Sequence, residues 1–285
     1  MFNIVVYLRR HRIEWIATGV AVLSVVLGLF IHLYPDNLTH IWFFNVGQGD
    51  ASLIKTASNQ YILIDGGPTD EVVGMLDAVM PMWHRKLDAV ILTHSHSDHA
   101  TGLLSVIDRY PIGAFWYSGA EYNSETYKAL ISEVSRQEIP IQLANQNDTL
   151  LFKESKLEIL FPVIEKPFSN DPNAVSIVNT FHYKNFSMLF TGDIPTSEEP
   201  GFIASIQDVD VIKVPHHGSR SASSNSLVSA AKPEVGVIGL GADNSFGHPH
   251  QEVVDRYQAV GTKLYRTDQD GTIEIVTDGQ YYKVL

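Results

Sequence analysis

Cysteine is absent from the 285-residue chain. That excludes disulfides and thiolate ligands, so any metal must be held by His, Asp, Glu or Asn. Low-complexity tracts and short internal repeats are absent too. Charge is sparse at 18% and hydrophobic residues make up 45%, the balance of an ordinary folded protein. The length suits one large α/β domain with a sizeable core. Basic residues are the scarcest resource. Setting aside Arg9, Arg10, Arg12 and Glu14 from the 20 Lys+Arg and 32 Asp+Glu leaves 17 basic and 31 acidic residues, a formal charge of −14. Such a surface is poor for non-specific binding to duplex DNA, which depends on basic groups. A bound cation reverses the local sign, however, so a short phosphodiester held at a metal is not excluded.

One long uncharged run is present. Trp15 to Tyr34 follows Arg9, Arg10 and Arg12. Twenty residues span about 30 Å as a helix, the thickness of a bilayer core. No small-x-small cleavage site follows, so an uncleaved signal anchor is expected rather than a removed signal peptide. The basic flank predicts residues 1–14 in the cytoplasm, 15–34 in the membrane and 35–285 outside the cell membrane.

The most informative stretch is Thr93-His94-Ser95-His96-Ser97-Asp98-His99, at the end of the apolar run Leu87–Leu92. That run reads as a buried strand, and a strand ending in a polar loop delivers side chains to the rim of a sheet. His94 and His96, two apart, project to one side if the extended geometry persists, with Asp98 and His99 on the next turn. Neutral imidazoles and a carboxylate are preferred ligands of zinc and similar ions. The bland alternative is a solvated loop that happens to be rich in His.

Elsewhere, 40–44, 51–54 and 61–64 read as short strands, and Asp70–Trp83, Ala100–Arg109 and Ser124–Gln137 as amphipathic helices. Strands follow at 156–161, 176–183, 186–190 and 209–214. Then come a helix from Ser224, a strand at 235–238, a helix from His250, and terminal strands at 263–265, 272–276 and 281–284. Strands first, then β and α alternating, twice over, suits two sheets sandwiched between helices.

The motif His94-x-His96-x-Asp98-His99 resembles the signature of the metallo-β-lactamase superfamily. Ile62-Leu63-Ile64-Asp65-Gly66-Gly67, Phe190-Thr191-Gly192-Asp193 and Val214-Pro215-His216-His217-Gly218-Ser219 resemble its other site loops, in the family's order. Phe44-Asn45-Val46-Gly47-Gln48-Gly49-Asp50-Ala51, Gly247-His248-Pro249-His250 and Tyr265–Gly271 resemble one branch, the hydrolase domain at the end of the competence DNA-uptake channel ComEC. The resemblance covers about residues 40–285 and implies an αββα sandwich, preceded here by one N-terminal transmembrane helix. It implies two divalent ions, zinc first, with manganese where oxygen donors replace a His. His94 and His96 would hold the first. Asp98, His99 and His217 would hold the second, Asp193 would bridge them, and Asp65 would orient a ligand from behind.

A third His for the first metal is missing. His182 lies in an apolar strand and reads as a strand histidine, while Asn170, Asp171 and Asn173 occupy the expected loop. Asp98, His216 and His248 are the candidate catalytic groups. His216 is expected to face the opposite way from His217 on an extended loop and to donate to a phosphoryl oxygen or leaving alkoxide. His250 reads as the start of a helix, after Pro249. Arg266 and Asp268 either stabilise the last turn or reach the site. The expected activity is phosphodiester hydrolysis on single-stranded or degraded DNA. The alternatives are a phosphocholine-type esterase on envelope polymers and a non-catalytic metal-binding adaptor at the membrane.

Overall fold

The computed structural model describes residues 11–33, 36–163 and 171–285, with the backbone alone for 29–33. It divides into two compact units, residues 1–37 and 38–285. The first holds helix α1 (Arg12–Leu33), whose described apolar side chains, among them Ile16, Val20, Leu23 and Val26, are exposed on every face. Arg9, Arg10 and Tyr34 lie outside the described residues, so the expected span of 15–34 falls partly beyond them. Among the described residues no helix is long and apolar enough to cross a membrane.

The second unit opens with strands β1 (Thr39–Phe43), β2 (Ser52–Lys55) and β3 (Tyr61–Ile64). Helix α2 (Glu71–Val79), β4 (Ala89–Ile91), α3 (Ser97–Arg109), β5 (Phe115–Tyr117), α4 (Glu125–Arg136) and β6 (Ile141–Leu143) follow. The second half runs through β7 (Thr149–Phe152), β8 (Ser155–Phe161), β9 (Val178–Tyr183), β10 (Phe186–Phe190), β11 (Val211–Lys213), α5 (Asn225–Ala231) and β12 (Val235–Ile238). It closes with α6 (Gln251–Ala259), β13 (Lys263–Arg266), α7 (Thr267–Asp270), β14 (Ile273–Thr277) and β15 (Tyr282–Val284). One sheet has the order β15-β14-β1-β2-β3-β4-β5-β6, the other β13-β12-β11-β10-β9-β8-β7.

Period-two alternation builds the layers. In β3, Ile62 and Ile64 face the second sheet, where they meet side chains such as Phe181, Met188 and Phe190. Leu63 between them faces outward, onto Val72 and Leu76 of α2 and Leu103 and Val106 of α3. In β11, Val211 points inward, while Ile212 points out onto Leu227 of α5 and Tyr257 of α6. Two sheets with helices on both outer faces give the expected αββα sandwich. Each fully buried aliphatic chain contributes about 1.5–3 kcal/mol.

Two features place the site. Strands β3 to β6 run parallel to one another, and so do β10 to β13. Their carboxyl ends carry the loops after Ile64, Ile91, Phe190 and Lys213, where ligands of parallel sheets bind. Helix α3 also docks unusually closely. A Cβ on Gly102 would lie 2.0 Å from the Gly66 carbonyl, and Gly66 N donates to the His99 carbonyl at 2.7 Å. The first turn of α3, with Asp98 and His99, is thereby held against the Asp65-Gly66-Gly67 loop.

Several boundaries differ from expectation. Helix α3 starts three residues early, at Ser97, so Asp98 sits on its first turn, where a carboxylate is favoured by the helix dipole. Strands β5, β6 and β7 were not expected, since each is only three or four residues long. His216 and His217 are not on an extended loop. They form a tight 3-10 turn over Pro215–Gly218 with left-handed φ of 51° and 53°.

Candidate metal centre

Four buried or half-buried donors converge where the two sheets' carboxyl ends meet. Asp193 Oδ2 lies 3.3 Å from His217 Nε2 and 3.5 Å from His99 Nε2. Asp98 Oδ2 lies 3.6 Å from His217 Nε2 and 4.0 Å from His99 Nε2. A tetrahedral zinc site with bonds of about 2.0–2.2 Å spaces its donors by about 3.3–3.6 Å, so this spacing fits a divalent ion. Both imidazoles are aimed from behind. His99 Nδ1 donates to Asp65 Oδ2 at 2.8 Å, and His217 Nδ1 donates to the Gly239 carbonyl at 2.6 Å. Their buried Nε2 atoms are left with no hydrogen-bond partner. Metal-binding His is oriented in this way, by its other ring nitrogen.

A second pair of donors adjoins the first set. His94 Nε2 and His96 Nδ1 lie 3.2 Å apart. Thr93 Oγ1 donates to Asp65 Oδ2 at 2.7 Å, so it must accept from His94 Nδ1 at 3.1 Å. That polarity leaves the lone pair of His94 on Nε2, beside His96. Asp65 thus aligns His94 through Thr93 and His99 directly, from a buried carboxylate that also accepts from Thr93 N.

The charges agree with a cation site. Burial alone would lower the pKa of His99 and His217. Asp193 outweighs it, with Asp65 beside His99 and Asp50 beside His217, raising His99 well above the usual imidazole value and His217 to about 10. Burial would raise Asp193, but His217, His99 and Lys213 hold it well below the carboxylate range. His94 goes the other way: burial and then His99 keep it neutral. Two protonated imidazoles framed by carboxylates carry the charge of one divalent ion, which would displace those protons on binding.

Asp50 and Lys213 carry no role in the sequence-based assignment, and both are buried here. Asp50 joins His99, Asp193 and His217 in one tight group. It faces their Nδ1 side, 3.9 Å from His99 Nδ1 and 3.8 Å from His217 Nδ1, and pairs with Lys213. Lys213 Nζ also reaches Asp193 Oδ1 at 3.4 Å and the Gly192 carbonyl at 3.1 Å. One oxygen of Asp193 is therefore engaged by an ammonium, while Oδ2 faces His99 and His217. The available signal was a charge inside the apolar run 211–214, because a fully buried Lys is nearly always paired.

The rim holds His216 and His248. His216 Nε2 is 3.9 Å from Asp193 Oδ2, and its Nδ1 meets Ser221 Oγ at 3.2 Å. The His248 ring lies 5.8 Å from that of His216, and burial with His217 and His216 nearby lowers its pKa to about 4. His250 is the residue preceding α6; its Nδ1 accepts from Arg220 N, and its ring lies 5.0 Å from that of His248. Arg266 clasps Asp268 at 2.7 Å and stabilises the last turn. His182 pairs with Glu158 at 3.1 Å on β9, outside the site. Asn170 lies outside the described residues. Asn173 is buried with an unpartnered Oδ1, and its loop is tied to the site by Ile177 N on the Thr93 carbonyl and Ser176 Oγ under Asp193 N.

Residues 44–241 match the family described as the Metallo-beta-lactamase superfamily. The chain belongs to that superfamily. Among curated relatives, ComE operon protein 3 of Bacillus subtilis (strain 168) is 25% identical over 93% of this chain and 36% of its own length. Competence protein ComA of Neisseria gonorrhoeae is 28% identical over 84% of this chain and 32% of its own. The chain spans about a third of the length of these relatives, and their competence roles are consistent with a ComEC-like branch of the superfamily. Among solved structures, the metallo-beta-lactamase fold protein YhfI of Bacillus subtilis aligns with a TM-score of 0.54 at 13% identity, over 80% of this chain and 96% of that one. Zn(2+)-bound PqqB of Methylobacterium extorquens aligns at 0.53 and 10% identity, over 80% and 97%. These likenesses concern the fold alone.

Proposed function

We propose that residues 38–285 form a metal-dependent phosphodiesterase that acts on single-stranded or degraded DNA at the outer face of the cell membrane. The observation that carries the assignment is the set Asp98, His99, Asp193 and His217, with two orphaned Nε2 atoms directed into one space. His94 and His96 supply a second pair of donors beside it. When bound, a divalent ion supplies Lewis-acid polarisation of a phosphoryl oxygen and lowers the pKa of water. The protein's own contribution lies at the rim. In the polarity Ser219 to Ser221 to His216 Nδ1, the Nε2–H of His216 is directed toward Asp193, where it can donate to a phosphoryl oxygen or leaving alkoxide. His248 beside it, neutral near pH 7, adds a second imidazole without adding charge. The competence-related relatives support a nucleic-acid substrate, and the acidic balance of the chain favours a short contact over a long footprint.

The purified chain should hydrolyse bis-p-nitrophenyl phosphate and a single-stranded oligonucleotide. It should lose both activities on chelation and regain them with Zn2+ or Mn2+. Metal uptake without turnover of any phosphoester would instead establish an adaptor. Turnover confined to p-nitrophenylphosphocholine would establish the esterase.

Anchoring is supported by Arg12 and by the apolar side chains exposed all round α1. Protease added to intact spheroplasts should digest the domain, and its protection would reverse the orientation.

A further inference from the structure

The loop after β5 builds a second feature against the metal donors. Tyr122 sets its ring edge-on to His96, with centroids 5.8 Å apart and planes at 79°. Behind it opens a cleft of about 690 Å³, whose lining includes Tyr117, Tyr122 and Tyr127 together with Glu121, Asn123 and Lys128. Burial, then Glu121, raises the Tyr117 phenol, and burial, then Tyr117 and Glu121, pushes Tyr127 up to about 12, so both stay protonated. The walls are therefore neutral rings with hydroxyl donors. The catalytic assignment uses none of these residues.

We propose that this cleft receives the nucleobase adjoining the scissile phosphodiester, stacked on Tyr122. Three arguments support that occupant. Bases stack on aromatic side chains whatever their sequence, which suits a single strand and excludes a paired one. Lys128 is paired with Glu125 at 3.2 Å, which leaves Glu121 to repel a second phosphate, so the base and not the next stretch of backbone enters. Its carboxylate can also accept from an exocyclic amino group, and Asn123 can pair with a base edge. The rival occupant is a quaternary ammonium, since rings and a carboxylate also form cation cages. The cleft is much larger than a trimethylammonium group, and the polar groups of Asn123 would go unused.

The inference rests on the phosphodiesterase assignment, and its test separates the two. The full chain, loaded with metal, is assayed on thymidine 5′-(p-nitrophenyl phosphate), on methyl p-nitrophenyl phosphate and on p-nitrophenylphosphocholine. The wild type should prefer the nucleoside ester in kcat/KM. Tyr122→Ala should reduce that preference on the order of tenfold, the scale of one lost stacking contact, and Tyr122→Phe should restore it. Binding of a fluorescent hexathymidylate in EDTA, followed by anisotropy, gives a reading independent of turnover, and it should weaken in Tyr122→Ala by a similar factor. An unchanged preference together with unchanged binding overturns the cleft assignment. So does a response confined to p-nitrophenylphosphocholine. If no ester is turned over, the phosphodiesterase assignment fails while the anisotropy still decides the cleft.

Discussion

Replacing Asp193 by Ala is expected to empty the metal centre and reduce phosphodiesterase activity by about 10³-fold or more. A metal's electrostatic contribution is several kcal/mol, and about 4 kcal/mol corresponds to that factor. The expectation follows from what one carboxylate touches. Asp193 Oδ2 faces His217, His99 and His216 at 3.3, 3.5 and 3.9 Å, while Oδ1 faces Lys213. Its loss removes the anion that both Nε2 atoms share. Folding should suffer less, because Lys213 keeps Asp50 and the Gly192 carbonyl as partners. A cost of about 1–3 kcal/mol is expected for a buried donor that loses one of its acceptors. Asp193→Asn, of equal size, controls for packing, since its amide cannot supply the negative charge. Elemental analysis and the rate on bis-p-nitrophenyl phosphate, measured on both variants, decide the matter. Full metal occupancy with full rate in Asp193→Asn would remove Asp193 from the centre.

The sequence made the layers and most of the donor set legible for different reasons. Alternation in Ile62-Leu63-Ile64 and spacing in Ala100, Leu103, Val106 and Ile107 report burial directly, because one face of each element must be apolar. The His-rich loop was legible because imidazoles and a carboxylate are concentrated at a strand end. What stayed hidden depends on contacts between distant segments. Asp50 is one acid in a loop, and Lys213 is one cation in a strand; only folding shows that they neutralise each other behind the centre. The tyrosine cleft was equally unreadable, since the loop after β5 brings Tyr122 to His96 only through the pairing of β5 with β4. Local backbone conformation was the other gap. An extended run was expected at His216-His217, but Gly218 takes φ 79°, and a Cβ there would meet Pro249 at 2.6 Å. That close approach fits the tight turn and brings the loop carrying His248 to the rim.

The turn sharpens the expected difference between the two neighbouring histidines. His217 is 2% exposed, with Nδ1 fixed on Gly239 O and Nε2 among Asp98, His99 and Asp193. His216 is half-buried at the rim; its Nδ1 meets Ser221 Oγ, and among the four donors its Nε2 approaches Asp193, at 3.9 Å. The two do not face opposite ways as an extended chain would require: the left-handed turn brings both Nε2 atoms toward Asp193 Oδ2, His217 at 3.3 Å from the buried side and His216 at 3.9 Å from the rim. Substitution by Asn rather than Ala is indicated, because Asn enters the left-handed region at lower cost and preserves the turn. His217→Asn should lose both metal and rate, the rate by about 10³-fold, for the same electrostatic reason as Asp193. His216→Asn should keep its metal and lose about 10²-fold in rate, the usual scale for a general acid or a single oxyanion donor. Metal content and rate are to be measured on both variants in parallel. Loss of metal from His216→Asn, with His217→Asn still loaded, would exchange the two roles. Undiminished turnover in both would move the active site away from this turn altogether.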